Sequence, residues 1–258
     1  MLLTVLGCSG SVPGPNAPTS GYLLEADGFR LVIDLGNGTL AELQSRIDPF
    51  AMNALLFSHL HPDHCADFSG LTVIRRYHPD PPHDTRVHRL PVHAPAEAAR
   101  RLAAAYAPCE RDRGTEDLAD VYDFRALGHR GVEIGPFTVT ALEMAHPCLA
   151  YGFRISHGDV MLAYTGDTGT CAAADELASG ADVLLSEASW THAPQARPVD
   201  LHLSGREAGE LAQRGEVGKL LLTHVPPWTN RDAVFAEARA AYRGDAELVR
   251  QGASYDIG

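Results

Sequence analysis

The chain has 258 residues, of which 45% are hydrophobic and 21% are charged, a composition that predicts a folded globular protein with a large core. Its 21 Lys and Arg against 33 Asp and Glu give a formal charge of -12, which excludes a protein that coats nucleic acid with a broad basic face. No apolar run approaches the ~18 residues of a membrane span, and residues 1–10 lack the features of a secretion signal, so we expect a cytoplasmic protein.

Short apolar runs bounded by Gly, Pro and Asp predict the strands of the first half of the chain, at residues 2–6, 22–26, 29–35, 54–57 and 90–93. The Asp27-Gly28 pair between the second and third runs is typical of a tight hairpin turn. Helical patterns lie between the strands, at residues 39–47, 67–77 and 96–106. The first half is therefore expected to be mixed α and β.

The second half repeats this arrangement, with predicted strands at residues 137–142, 151–155, 160–164, 183–185 and 220–223 and predicted helices at 171–178, 204–214 and 232–242. Two such halves predict two mixed sheets packed face to face, with helices on both outer sides. We therefore expect one four-layer α/β domain that covers residues 1–258. The region 79–120 is rich in Pro and in charge, and we expect it to form surface loops or an insertion that acts as a lid or a dimer interface.

Four potential metal ligands, His59, His61, Asp63 and His64, fall within six residues directly after a predicted strand. A polar loop of hydrogen-bonded histidines is the alternative interpretation, but clustered imidazoles repel one another when they are charged. A divalent cation turns such a cluster into a binding site. Three further candidates each follow an apolar run of the second half: His146, Asp167 and His224. Together they exceed the ligands of one tetrahedral ion, which predicts two adjacent metal ions.

The seven candidate ligands are imidazoles and carboxylates, without a thiolate. Zinc is therefore the expected metal, and manganese and iron also suit such ligands. Two adjacent ions can lower the pKa of a bridging water and clamp the oxygens of a phosphoryl group, so a phosphoester is a natural substrate. The five cysteines are odd in number and contain no Cys-x-x-Cys pair, which predicts free thiols.

The order of these residues resembles the metal motifs of the metallo-β-lactamase superfamily, over nearly the whole chain. The resemblance implies that one metal is held by His59, His61 and His146 and the other by Asp63, His64 and His224, with Asp167 as the bridge. It also implies a catalytic role for Asp63, and it places Asp34 behind the ligands, where its carboxylate would orient an imidazole. A turn carboxylate at a strand end is the alternative interpretation of Asp34.

Several segments resemble the phosphodiesterase branch of this superfamily, which contains ribonuclease Z and bacterial cyclic-nucleotide phosphodiesterases. They are the Gly-rich opening at residues 6–10, Ser186-Glu187-Ala188-Ser189, and the run that begins at His202. The branch implies that Glu187 and His202 form a pair beside the scissile phosphate, where the protonated ring would stabilise charge or protonate the leaving oxygen. The alternative is that His202 only precedes a helix capped by Ser204.

Ribonuclease Z proteins usually carry a basic arm between the lone motif histidine and the bridging aspartate, whereas here predicted hairpin strands fill the interval from His146 to Asp167. We therefore expect a small phosphodiester, most of all a 3',5'-cyclic nucleotide such as cyclic AMP that is hydrolysed to the 5'-monophosphate. The sequence also resembles actinobacterial cyclic-AMP phosphodiesterase-like members of the branch.

The alternatives are a ribonuclease Z-type tRNA 3' endonuclease and a thioester or lactone hydrolase of the same superfamily. We expect neither extended nucleic acid nor a membrane as a partner. The sequence does not decide between a monomer and a homodimer. The aromatic candidates for stacking a base are Trp190, Trp228, Tyr77 and Tyr151.

Overall fold

The computed structural model describes residues 1–15, 17–128, 130–192, 198 and 200–258. The first half contains, in chain order, β1 (Leu2–Gly7), β2 (Gly21–Ala26), β3 (Phe29–Leu35), α1 (Thr39–Gln44), β4 (Ala54–Leu56), α2 (Pro62–Cys65), α3 (Phe68–Tyr77), β5 (Leu90–Ala94), α4 (Ala98–Tyr106) and β6 (Tyr122–Ala126). The second half contains β7 (Val132–Ile134), β8 (Phe137–Glu143), β9 (Tyr151–His157), β10 (Val160–Tyr164), α5 (Ala172–Ala178), β11 (Val183–Glu187), α6 (Gly205–Arg214), β12 (Lys219–Thr223), α7 (Arg231–Ala241), β13 (Asp245–Leu248) and β14 (Ser254–Asp256). Among the described residues, no helix is both long and apolar enough to cross a bilayer.

Within the described part of the chain, the strands form two sheets of seven, in the orders β14-β1-β2-β3-β4-β5-β6 and β13-β12-β11-β10-β9-β8-β7. The first sheet is antiparallel from β14 to β3 and parallel from β3 to β6. The second is parallel from β13 to β10 and antiparallel from β10 to β7. The predicted α/β class with two mixed sheets is confirmed.

Each sheet is buried on both faces. Because alternate residues of a strand point to opposite sides, one set packs between the sheets and the other set packs under the outer helices. On β3, Leu31 and Ile33 pack between the sheets with Phe153 of the second sheet, whereas Val32 packs under the outer helices. Helices α1, α3 and α4 cover the first sheet in this way. Helices α5, α6 and α7 cover the second. The four predicted layers are therefore confirmed.

Two local predictions from the sequence are also confirmed. Asp27 and Gly28 both have positive φ, 51° and 78°, and they close the hairpin between β2 and β3. Ser204 caps α6, because its Oγ accepts a hydrogen bond from the Glu207 amide and the Glu207 side chain returns to the Ser204 amide. The cap fixes the point at which the chain leaves His202 and enters the helix.

The region 79–120 contains loops, one strand, one α-helix and a short 3-10 helix at Glu110–Asp112. Strand β5 lies between β4 and β6 in the first sheet, and α4 packs Leu102 into the outer core of that half. The stretches before β5 and after α4 contain the Pro-rich and charge-rich residues noted above. A role for this region as a lid or an interface stays a prediction.

Candidate metal centre

The seven predicted metal ligands meet where strands of both sheets end. His59 and His61 follow β4, and Asp63 and His64 lie on the short helix α2. The other three, His146, Asp167 and His224, follow β8, β10 and β12. Together these residues form two groups, and within each group the possible ligand atoms lie within 4.8 Å of one another. The strand ends of the two halves therefore build one site.

The first group consists of His59, His61, His146 and Asp167. His61 Nδ1 lies 3.1 Å from both His59 Nε2 and His146 Nε2. Oδ2 of Asp167 lies 3.7 Å from His59 Nε2. Burial lowers the pKa of each of the three histidines, so they are neutral at pH 7 and can act as ligands.

The second group consists of Asp63, His64, Asp167 and His224. Oδ1 of Asp167 lies 3.1 Å from His64 Nε2, and Oδ2 of Asp63 lies 3.1 Å from His224 Nε2. Asp167 thus turns one carboxylate oxygen toward each group. Burial opposes the ionisation of Asp63 and Asp167, but the surrounding histidines lower the pKa of both carboxyls. Two carboxylates therefore face five imidazoles.

A hydrogen bond from the other ring nitrogen orients each of the five histidines. The pairs are His59 Nδ1 with Ser58 Oγ at 3.1 Å, His61 Nε2 with Cys148 Sγ at 3.8 Å, His64 Nδ1 with Asp34 Oδ2 at 2.8 Å, His146 Nδ1 with the Leu201 carbonyl at 3.0 Å, and His224 Nδ1 with Ser189 Oγ at 2.9 Å. A ring that donates through one nitrogen presents a lone pair at the other. The rings of His64 and His146 donate to a carboxylate and a carbonyl, and the hydroxyls beside His59 and His224 already donate to Asp34 and Glu187, so these four rings turn a lone pair into the centre.

This convergence of lone pairs fits divalent cations. Oδ1 of Asp167 is buried and makes no hydrogen bond within the described part of the chain, although His64 Nε2 is close to it. A lone pair on His64 Nε2 and the negative charge on Asp167 Oδ1 would repel each other. A proton or a metal ion must therefore lie between the two atoms. Burial lowers the pKa of His64, but Asp167 and Asp34 outweigh it and raise that pKa, so a proton competes with a cation here. The donors are nitrogen and oxygen atoms, which suit divalent transition metals.

Asp34 lies behind both candidate ligand groups. Its buried carboxylate accepts hydrogen bonds from His64 Nδ1, from the amide and hydroxyl of Ser58 and from the Tyr164 hydroxyl, each at 2.8 Å. Since the same Ser58 hydroxyl contacts His59, one carboxylate orients a histidine of each group. Asp34 has φ 56°, a strained left-handed conformation that these bonds hold in place.

Replacement of Ser58 by alanine should weaken metal binding at the first group by about 10- to 100-fold, because His59 Nδ1 loses its partner. The measurement is a titration against a chelator that competes for zinc, with thermal unfolding of the same sample to establish that it is folded. Ser156→Ala, on β9 and away from the centre, is the matched control. An unchanged zinc affinity in Ser58→Ala would contradict this role.

Glu187 and His202 lie beside the second group as a hydrogen-bonded pair. Nδ1 of His202 lies 3.0 Å from Glu187 Oε1, and the ring packs against His146 and His224 with centroids 5.6 and 5.3 Å apart. Burial works against the charge of His202, but Glu187 outweighs it and raises the pKa to about 9. The described residues give His202 Nε2 no hydrogen-bond partner. Nε2 of His202 is therefore the ring nitrogen that can hold a proton toward a bound molecule.

Glu187 also anchors residues next to two candidate ligands. Its Oε1 accepts a hydrogen bond from the Thr168 amide at 2.7 Å, directly after Asp167, and its Oε2 accepts one from the Ser189 hydroxyl at 2.9 Å. Although Glu187, His202 and His224 lie close enough to hold an ion, these bonds occupy both Glu187 oxygens. Glu187 therefore orients His202 and the loop of Asp167.

Two glycines let the backbone come close to the ligands. A Cβ atom on Gly10 would lie 2.4 Å from the His224 carbonyl oxygen, and one on Gly36 would lie 1.9 Å from the Asp63 carbonyl oxygen. Next to Gly10, the Ser11 amide donates a hydrogen bond to Asp63 Oδ2 at 2.8 Å. The Gly-rich opening of the chain thus positions Asp63 and His224.

Of the four aromatic candidates, the structure brings Trp190 to the centre. Its ring packs edge-on against His202, with centroids 5.3 Å apart. Tyr151 is buried in the core between the sheets, and Tyr77 and Trp228 are 66% and 69% exposed. Sequence reasoning missed Ser58, Ser189 and Cys148 as partners of the ligands, although each lies within two residues of a named site residue or motif.

The fold and the two ligand groups define a metallo-hydrolase of the metallo-β-lactamase superfamily. Residues 29–225 match the family model described as a beta-lactamase superfamily domain, and the chain belongs to this family. The uncharacterized protein ML1173 of Mycobacterium leprae is 47% identical over 258 residues, which cover 99% of this chain and 88% of that protein. A ribonuclease Z of Mycobacterium sp. (strain KMS) is 31% identical over 265 residues, with 93% and 89% covered. The crystal structure of the fold relative YhfI from Bacillus subtilis has a TM-score of 0.85 at 27% identity and covers 99% of each chain.

Proposed function

We propose that this protein is a phosphodiesterase that hydrolyses a small phosphodiester, with a 3',5'-cyclic nucleotide such as cyclic AMP as the leading substrate. The observation that carries the proposal is the His202–Glu187 pair, 3.0 Å apart, beside the shared ligand Asp167. A phosphodiester has an alkoxide leaving group, which needs a proton as it departs. His202, backed by a carboxylate, is placed to give one.

The residues present suit two divalent ions, zinc first and manganese or iron next, one in each ligand group around Asp167. When bound, such ions polarise a phosphate and activate a water. His202 Nε2 would pass its proton to the departing 3' oxygen as the bond from phosphorus to that oxygen breaks. Water supplies the new oxygen on phosphorus, so cyclic AMP yields the 5'-monophosphate. Glu187 holds the ring in place through Nδ1 and stabilises its charge.

The compact connection between two ligands favours a small substrate. Between His146 and Asp167, all of which is described, the chain forms the hairpin of β9 and β10, with His157 paired to Val160 across a two-residue turn. No protruding arm lies in this interval. A ribonuclease Z-type endonuclease is the second candidate, because the chain is 31% identical to a protein of that name.

The proposal is tested with one metal-loaded preparation assayed on cyclic AMP, cyclic GMP, a linear dinucleotide, a precursor tRNA and a thioester. We expect cyclic AMP to give the highest kcat/KM, with the 5'-monophosphate as product, and the tRNA to be cut poorly. Efficient tRNA cleavage with negligible cyclic-nucleotide hydrolysis would replace this function by that of ribonuclease Z. Hydrolysis of the thioester alone would remove the phosphodiesterase proposal altogether.

A further inference from the structure

A basic cavity of about 630 Å³ opens between α4 and the loop that follows it. Three of its lining residues are arginines, Arg100 and Arg101 on α4 and Arg113 on the loop. We call this cavity the arginine pocket. The proposed hydrolysis uses none of these residues.

Arg101 joins the arginine pocket to the metal centre. Its Nη2 donates a hydrogen bond of 3.0 Å to the carbonyl of Leu60, which lies between the candidate ligands His59 and His61. Burial is the main influence that lowers the pKa of His61, and the positive charge of Arg101 adds to it. His61 and its neighbour Cys148 are half-buried, whereas His59, His64 and Asp167 are buried. The pocket therefore lies next to the loop that carries His59 and His61.

The positive charge of the pocket is only partly compensated. Arg100 and Arg101 form no ion pair within the described ranges of the chain. Arg113 pairs with Glu110, but both side chains are largely exposed, and such pairs contribute little. The acidic lining residue, Glu116, is already paired with Arg76 at 2.8 Å. In a chain with a net charge of -12, this concentration of cations beside the centre favours an anionic partner.

We propose that the arginine pocket is a subsite for a second phosphate group of the substrate. This inference rests on the proposed function, because it places the scissile phosphate at the metal ligands and a neighbouring phosphate between Arg100 and Arg101. Guanidinium groups bind phosphate through paired hydrogen bonds, and Arg101 is already oriented by Leu60. Cyclic AMP has one phosphate and leaves the pocket unused. Short linear nucleotides with a terminal phosphate fill both sites.

The test compares three linear diadenylates: one without a terminal phosphate, one with a 5'-terminal phosphate and one with a 3'-terminal phosphate. We expect kcat/KM of at least one phosphorylated form to exceed that of the unphosphorylated form by about tenfold, mostly through KM, since a hydrogen bond to a charged group contributes on that scale. The excess should shrink as salt is added, because exposed cations are screened. A ten-nucleotide oligoadenylate should be cleaved no better than the phosphorylated diadenylate.

Arginine variants connect this preference to the pocket. In Arg101→Ala and Arg100→Ala, the ratio of kcat/KM between phosphorylated and unphosphorylated diadenylate should fall from about ten toward one. Because the ratio is taken within one variant, a general loss of metal or activity cancels. Arg100 makes no hydrogen bond or ion pair to residues 57–64, all of which the structure describes, so its variant keeps the test informative if Arg101→Ala loses metal. Arg214→Ala, which removes a surface arginine paired with Asp175 on the other half, should retain the full ratio.

Three results would overturn the subsite. Equal kcat/KM for all three diadenylates in the unmodified protein would show that no second phosphate is recognised. An undiminished ratio in both Arg100→Ala and Arg101→Ala would place the recognition elsewhere. A better rate on the ten-nucleotide chain would assign the pocket to an extended nucleic acid instead. Failure of the proposed function is different, because then the unmodified protein would cleave none of the phosphodiesters.

Discussion

Replacement of His202 by alanine is expected to lower kcat for cyclic AMP by about 10²- to 10⁴-fold, the range typical of a lost general acid. Nδ1 of His202 is bonded to Glu187, and its other nitrogen has no bond to the described residues, so the leaving oxygen loses its proton donor. The metal content should stay the same, because His202 is outside both ligand groups that share Asp167. Steady-state kinetics and elemental analysis on one preparation measure both quantities.

Two further variants separate catalysis by His202 from a structural effect. His157→Ala removes a histidine paired with Asp27 at a surface hairpin, and it should leave both rate and metal content unchanged. Glu187→Ala should lower the rate and also release metal, because Glu187 bonds the Thr168 amide and the Ser189 hydroxyl. A loss of metal in His202→Ala that matched its loss of rate would make His202 a structural residue.

Replacement of Asp167 by alanine is expected to abolish activity and to weaken metal binding at both groups by more than about 100-fold. Loss of a residue that only hydrogen-bonds a ligand typically costs up to about 100-fold in metal affinity. The reason is geometric, since Oδ2 of Asp167 faces His59 and Oδ1 faces His64. By contrast, Asp63→Ala should affect mainly the second group. Zinc titrations of the two variants against the unmodified chain measure the difference.

The control for Asp167→Ala is Asp175→Ala, which removes a half-exposed surface carboxylate paired with Arg214. It should bind metal as the unmodified chain does. If Asp167→Ala kept normal turnover with both metals bound, Asp167 would not be shared between the groups. The two ligand groups would then have to act independently.

The strands that the sequence predicts are those in the interior of the two sheets. Interior strands are buried on both faces and read as apolar runs, as in the 29–35 segment that becomes β3. The four strands that sequence analysis missed, β6, β7, β13 and β14, are the edge strands of the two sheets. Edge strands are short and carry polar residues on their open side, and β13, Asp-Ala-Glu-Leu, has no apolar run at all. The hydrophobic pattern therefore detects the strands that are buried on both faces, and it misses the edge strands.

The clustering of the candidate metal ligands could be predicted because their chemistry is unusual and their spacing is local. His59 to His64 form a cluster within one loop, and each later ligand follows an apolar run. The hydroxyls that orient the rings could not be predicted, because Ser58 and Ser189 are common residue types whose role depends on the fold. Ser189, for example, bonds Glu187 and His224 only because β11 and β12 are neighbours. The placement of Arg101 behind Leu60 likewise depends on how α4 packs.

In the proposed function, the two ligand groups act together as one catalytic centre for phosphodiesters. Stepwise addition of zinc to metal-free protein, with bound metal and cyclic AMP hydrolysis followed in the same sample, measures whether they do. Seven ligands around a shared Asp167 predict that binding stops at about two ions per chain and that most of the activity appears with the second ion. A chain that reaches full turnover with one ion and binds no second would contradict the claim.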